Sequence, residues 1–283
     1  MRWKTRGALV ALCALTLTVT AAGAAHAATE PWVIQGSDHA RALDESQGMA
    51  TIVRGSSVEV RYTGVGTIPS SLNSRGWNHV GDPDSVAGVY IEPYQRDDRG
   101  GKLYRVQNAA GAWSEYTHAL LSWEANNNSF DTITPNGKWM VSGEFGTMDK
   151  LLVYPTPGIA FTTPAQNLPY AAAIRLNHQV RDVQGCDFYT DTVLLCSSDD
   201  PAGTLFGMTK PLLQVTLSRA LDGADVTGTV VALGQLPLKS LCGGNFETEG
   251  IDYDGRTGIL RVLMMSPSWC VAYDSKTWRF THR

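Results

Sequence analysis

Five times along the chain a polar residue stands just ahead of a short β-rich run, and a tight turn then leads into a second run. The polar residues are Gln47, His79, Asp131, Gln184 and Glu249. The fullest instance spans residues 77–94. There His79, Asp82 and Asp84 form a polar, turn-forming approach, Ala87-Gly88 make a small-residue turn, and Val89-Tyr90-Ile91-Glu92 form a strand that ends in a carboxylate. The other units turn at Gly55-Ser56, Pro135-Asn136-Gly137, Thr190-Asp191 and residues 254–258. Successive polar residues are separated by 32, 52, 53 and 65 positions. The middle spacings approach the ~40–50 residues of a repeated four-stranded sheet.

Helical periodicity is scarce, with single turns at most over residues 40–45 and 218–222. Short β-rich runs separated by Gly, Asn, Asp and Pro predict an all-β sandwich, barrel or propeller. The repeat favours a five-bladed β-propeller, because a single twisted sheet buries both faces only between neighbours of its own kind. Third strands are predicted at residues 102–106, 151–154 and 211–217, and Trp32-Val33-Ile34 is predicted to close the ring against the C-terminal strands. A six-bladed ring is the alternative, with its extra blade in residues 109–123 or 225–233. Residues 226–233 also read as the outer strand of the fourth unit.

The first 27 residues read as a secretory signal. Arg2, Lys4 and Arg6 precede an apolar stretch at 8–19, and Ala25-His26-Ala27 form a cleavage site. Cys13 lies in the apolar stretch without the small residues of a lipoprotein signal following it. No later run approaches the ~20 apolar residues of a membrane span. The expected mature chain is therefore one exported propeller domain over residues 28–283, secreted and monomeric. Removing Arg2, Lys4 and Arg6 from the 23 basic residues leaves 20 against 27 acidic ones, a net charge of −7. That balance argues against nucleic acid or an anionic membrane as partner.

Four cysteines lie beyond the signal: Cys186, Cys196, Cys242 and Cys270. An even number in an exported chain reads as disulfides, with three possible connectivities. Ten residues and a turn separate Cys186 from Cys196, which favours a hairpin disulfide and leaves Cys242–Cys270. The tight C-x-x-C pairs of a thiolate metal site are absent.

The first strand of a propeller blade lines the axis, so the five polar residues are expected to converge at one mouth. Gln47, His79, Asp131, Gln184 and Glu249 form the predicted site, with Asn78, Asp82 and Glu247 beside them. His79 can act as a metal ligand or general base near neutral pH. Glu247 and Glu249, two apart on a strand, project from one face. With Asp131 they can hold a hard cation such as Ca²⁺ or work as an acid/base pair. Polar residues at strand starts also cap turns and hydrate channels. Asp84 reads as tightening its turn, and Asp252-Tyr253-Asp254-Gly255 as a hairpin turn. No G-x-S-x-G, S-x-x-K or H-E-x-x-H motif is present. Trp77, Trp113, Trp123, Trp139, Trp269 and Trp278 can stack on sugars at a channel mouth or fill space between blades.

The pieces Gln47-Gly48, Asn78-His79-Val80-Gly81-Asp82, Gln184-Gly185-Cys186 and Glu249-Gly250-Ile251 resemble the blade starts of exported bacterial β-propeller proteins, including phytase-like and lactonase-like enzymes. The resemblance covers residues 46–280 as a blade pattern. It implies the fold, and the metal-ligand sets of those enzymes do not map onto this chain residue by residue. Two functions follow as expectations. One is a secreted module that binds a small molecule, polymer or cation at the channel mouth. The other is a metal-assisted hydrolase using His79, Asp131 and Glu249, in which a metal-bound water attacks.

Overall fold

A computed structural model describes residues 32–40, 46–98, 100–239, 246–266 and 275–283. The strand β1 (Trp32–His39) opens the described chain, and five consecutive sets of strands follow. The first set is the hairpin β2 (Ser46–Arg54) and β3 (Ser57–Gly64). The second holds β4 (Trp77–Val80) and β5 (Asp84–Val86), both paired with β6 (Val89–Arg96), then β7 (Lys102–Gln107) and β8 (Trp113–His118). The third runs β9 (Phe130–Ile133), β10 (Trp139–Gly143), β11 (Thr147–Pro155) and β12 (Ala172–Arg181). The fourth runs β13 (Val183–Thr190), β14 (Val193–Ser198), β15 (Pro211–Leu217) and β16 (Val226–Gln235). The fifth is β17 (Glu247–Asp254), β18 (Ile259–Met265) and β19 (Lys276–His282), completed by β1, which pairs antiparallel with β19 from Trp32–His282 to His39–Lys276. Trp32-Val33-Ile34 thus lie where ring closure requires a strand.

Within each set neighbouring strands are antiparallel. The outer strands β12 and β16 also pair in parallel, joining the third and fourth sets into one eight-stranded sheet. The first strands pack in a closed circle: β2 on β17, β17 on β13, β13 on β9, β9 on β5 and β5 on β2. Sheets arranged radially about such a circle are a β-propeller. Of the two regions considered for an additional blade, 109–123 contains β8 and 225–233 forms most of β16 (Val226–Gln235).

The apolar faces meet between neighbouring sheets. Val141 and Leu151 pack with Leu194 and Val215, Leu195 and Leu212 with Ile251 and Val262, and Ile91 and Tyr104 with Met140 and Tyr154. Each such side chain contributes about 1.5–3 kcal/mol on burial. The described helix is short and falls at α1 (Ser70–Asn73), where the sequence offers no periodicity. Pro69 at its N-cap fixes the backbone φ at the start, and buried Leu72 ties the turn to Trp77 and Val80. Residues 218–222 form no helix.

Cys186 and Cys196 face each other across β13 and β14 and form a disulfide, with Cα atoms 4.1 Å apart. The pair Cys242–Cys270 and the leader segment lie outside the described residues.

Candidate functional site

Three of the polar strand-start residues stand at the same irregularity. The β2–β3 register slips between Ser46 and Gly48, at Gln47. The β13–β14 register slips between Val183 and Gly185, at Gln184. The β17–β18 register slips between Thr248 and Ile251, at Glu249-Gly250. A β-bulge inserts an unpaired residue, bends its strand and re-aims the side chain. In β4 the slip falls between Trp77 and His79. Gln47, His79, Gln184, Glu247 and Glu249 all line one cavity of about 300 Å³.

Asp131 takes a different position. The β9–β10 ladder runs without a slip from Phe130 to Ile133, so plain alternation carries Asp131 into the interior. Its carboxylate is fully buried, and neither oxygen has a hydrogen-bond partner among the described residues. Burial, then the charges of Asp84, Asp82 and Glu92, push it well above the usual carboxylate range. In the third set Ser129 lines the cavity instead. Asn127, from the Asn126-Asn127-Asn128 run that precedes the third unit, completes the wall with Gln95 and Phe145, and the sequence pattern singles out neither of these last two. Asn127 holds the Phe145 backbone through both its amide atoms (Nδ2–H to the carbonyl at 3.1 Å, Oδ1 from the N–H at 2.5 Å), while Phe145 remains 51% exposed. Asn128 instead accepts from Tyr104 and Ser142 in the interior.

Asp82 also departs from the mouth. It sits fully buried between the inner strands, with Oδ1 accepting Met49 N–H and Oδ2 accepting Ile251 N–H, each at 3.0 Å. A Cβ on Gly250 or Gly185 would overlap its carboxylate, and one on Gly48 would overlap its Cα. The glycine after Gln47, Gln184 and Glu249 is therefore explained by close approach to one axial side chain. Burial pushes the Asp82 carboxyl well up, against the pull of its two backbone donors. On the opposite side, a cavity of about 320 Å³ is lined by Asp84, Asp187 and Asp252. These carboxylates accept backbone N–H groups from neighbouring sets: Asp84 from Ile133 (2.6 Å), Asp187 from Tyr253 (2.5 Å) and Asp252 from Thr51 (2.7 Å). They act as staples between sheets.

Glu249 is the deepest acid of the first cavity. It is 2% exposed. Burial raises it well above the usual range, and the charges of Asp199 and Glu247 add to this, with Lys210 opposing. Lys210 is itself bound to Asp199 at 2.6 Å, and Asp199 also accepts the Thr248 hydroxyl. The Glu249 carbonyl accepts from Ser197 Oγ at 2.7 Å, which fixes the bulge against β14. Among the described residues, no three His, Cys, Asp or Glu side chains converge so that one metal ion fits between them. The donor set therefore does not suit the Ca²⁺ expected from Asp131, Glu247 and Glu249.

No protein-family model matches the chain, and no curated protein matches it. Among solved structures it is similar to the β-propeller domain of Cps50 (Swd1) from Myceliophteria thermophila, with 10% identity, 80% of this chain and 61% of that chain covered, and a TM-score of 0.37. It is similar to the WD40 repeats of RRP9, with 11% identity, 84% and 67% of the chains covered, and a TM-score of 0.43. Likewise U3-55K aligns at 10% identity over 83% and 67% of the chains, with a TM-score of 0.41. The chain spans 61–67% of the length of these structures.

Proposed function

We propose that the protein is an exported five-bladed β-propeller that binds a small polar ligand in the cavity lined by Gln47, His79, Gln184, Glu247 and Glu249. The observation that carries this reading is the cavity itself: about 300 Å³, walled by five polar residues gathered from four strand sets, with Glu249 only 2% exposed among them. The five-blade count rests on the five strand sets and the circle of first strands. The hydrolase reading requires His79, Asp131 and Glu249 around one ion. Asp131 lies outside the cavity and, among the described residues, no three such groups converge, which favours binding over hydrolysis.

The test is a thermal-shift and calorimetric screen of polar small molecules against the purified protein and a Gln184→Trp variant, whose indole fills the cavity. The expected result is a compound that binds the native protein and loses at least about tenfold in affinity on the variant, a loss of ~1.4 kcal/mol. Hits that bind both proteins equally place the site elsewhere and refute the reading.

A further inference from the structure

We propose that the ligand enters this cavity with a primary ammonium group, received by Glu249, and carries an apolar body that rests against Phe145. The inference builds on the binding reading above and adds the chemical class.

The charge inventory points to a cation. Glu249 and Glu247 both line the cavity, and the charges of Asp199 and Asp82 also act on Glu249. The facing cation is Lys210, already held by Asp199 at 2.6 Å. His79 contributes the remaining titratable group on the wall. The hydrogen-bonding inventory agrees. A primary ammonium has three donors and no acceptor, so its receptor must offer acceptors. The cavity supplies two carboxylates and the amide oxygens of Gln47 and Gln184. A hard metal ion needs several oxygens drawn around one point, and that convergence is missing among the described residues. An ammonium needs one well-placed carboxylate and tolerates looser amide partners. At the rim, Phe145 keeps 51% of its surface exposed although both its backbone polar groups are clamped by Asn127. A fixed, exposed ring beside a polar cavity suits a ligand with a polar head and an apolar body.

Glu249 must be ionised to receive the ammonium, and its burial favours the protonated acid in the empty cavity. Binding a protonated amine then expels the Glu249 proton to solvent. Affinity should therefore tighten as pH rises, until the amine itself deprotonates.

Calorimetry with phenethylamine, its neutral analogue 2-phenylethanol, and CaCl₂ tests the inference on the native protein, Glu249→Gln and Gln184→Trp. The expected result is saturable binding of phenethylamine with proton release, seen as buffer-dependent heat. Its affinity should fall about ten- to hundredfold in Glu249→Gln. Glu249→Gln should keep or raise the melting temperature, which separates lost affinity from lost folding. Equal binding of 2-phenylethanol to the native protein and to Glu249→Gln overturns the ammonium class while leaving the cavity as the site. Tighter binding of Ca²⁺ than of the amine, lost in Glu249→Gln, or no saturable binding of the amine at all, also overturns it. Amine binding unchanged in Gln184→Trp refutes the cavity itself, and with it the binding reading.

Discussion

Gly250→Ala tests the axial packing most directly. The added methyl would overlap the Asp82 carboxylate, and the Gly48 backbone blocks retreat, its Cα lying 2.7 Å from the ideal Cβ position. Either Asp82 swings away or β17 shifts. Moving Asp82 breaks the bonds from Met49 N–H and Ile251 N–H, each 3.0 Å long, in a fully buried setting. A buried donor left unsatisfied is unfavourable by about 1–3 kcal/mol, so the two orphaned N–H groups amount to about 2–6 kcal/mol. For a domain of this size that is a fall of roughly 4–24 °C in melting temperature. Gly55→Ala is the control. Gly55 has φ of 59° and nothing within 4 Å of its Cβ position, so only the backbone preference of about 1–2 kcal/mol is lost. The pair Gly250→Ala and Asp82→Ala completes a double-mutant cycle, measured by urea denaturation. Asp82→Ala alone orphans the two N–H groups, and the double variant removes the clash as well. The combined loss should be less than the sum by at least about 1–2 kcal/mol. Additive losses, or a Gly250→Ala variant no less stable than Gly55→Ala, would refute the close-approach account.

Two further outcomes follow from the buried charges. Burial raises Asp82, Asp131, Asp187 and Glu249 well above their usual range and Asp84 to about 7. An acid raised on folding favours the folded state while it is protonated, and that contribution is lost as pH rises through the folded value. For Asp84 the window runs from about pH 4 to about 7, so the melting temperature should climb as pH is lowered from 8 to 5. Asp131→Asn should flatten that climb and be at least as stable as the native protein at pH 8. A stability that rises with pH over this range would contradict the assignment. Glu124 behaves oppositely. Despite burial, its bonds to His118 (2.8 Å), Tyr154 (2.9 Å) and Leu121 N–H (2.6 Å) and the Lys102 charge hold it down at about 2. Its contribution is present above about pH 4.5 and fades as pH falls toward 2, and Glu124→Gln should lose about 3–5 kcal/mol at neutral pH by urea denaturation.

Much of the architecture was legible in the chain because it is local. Alternating apolar residues, Gly and Asn turns and the recurring Gln-Gly and Glu-Gly pairs specify short antiparallel strands, and those strands bury both faces only between sheets of the same kind. The ten-residue separation of Cys186 and Cys196 likewise contained its own hairpin geometry. The destination of each polar side chain was not local. Gln47, Gln184 and Glu249 reach one cavity through bulges, whereas Asp131 stands on an unbroken ladder and turns inward. A one-residue change of register moves a side chain to the opposite face of its strand, and spacing alone does not record a bulge. The tertiary structure also decided the fate of Asp82. From the sequence it is a turn carboxylate expected beside the channel mouth. At the axis its single carboxylate meets both Met49 and Ile251, 33 and 169 residues away, and three glycines leave room for it there.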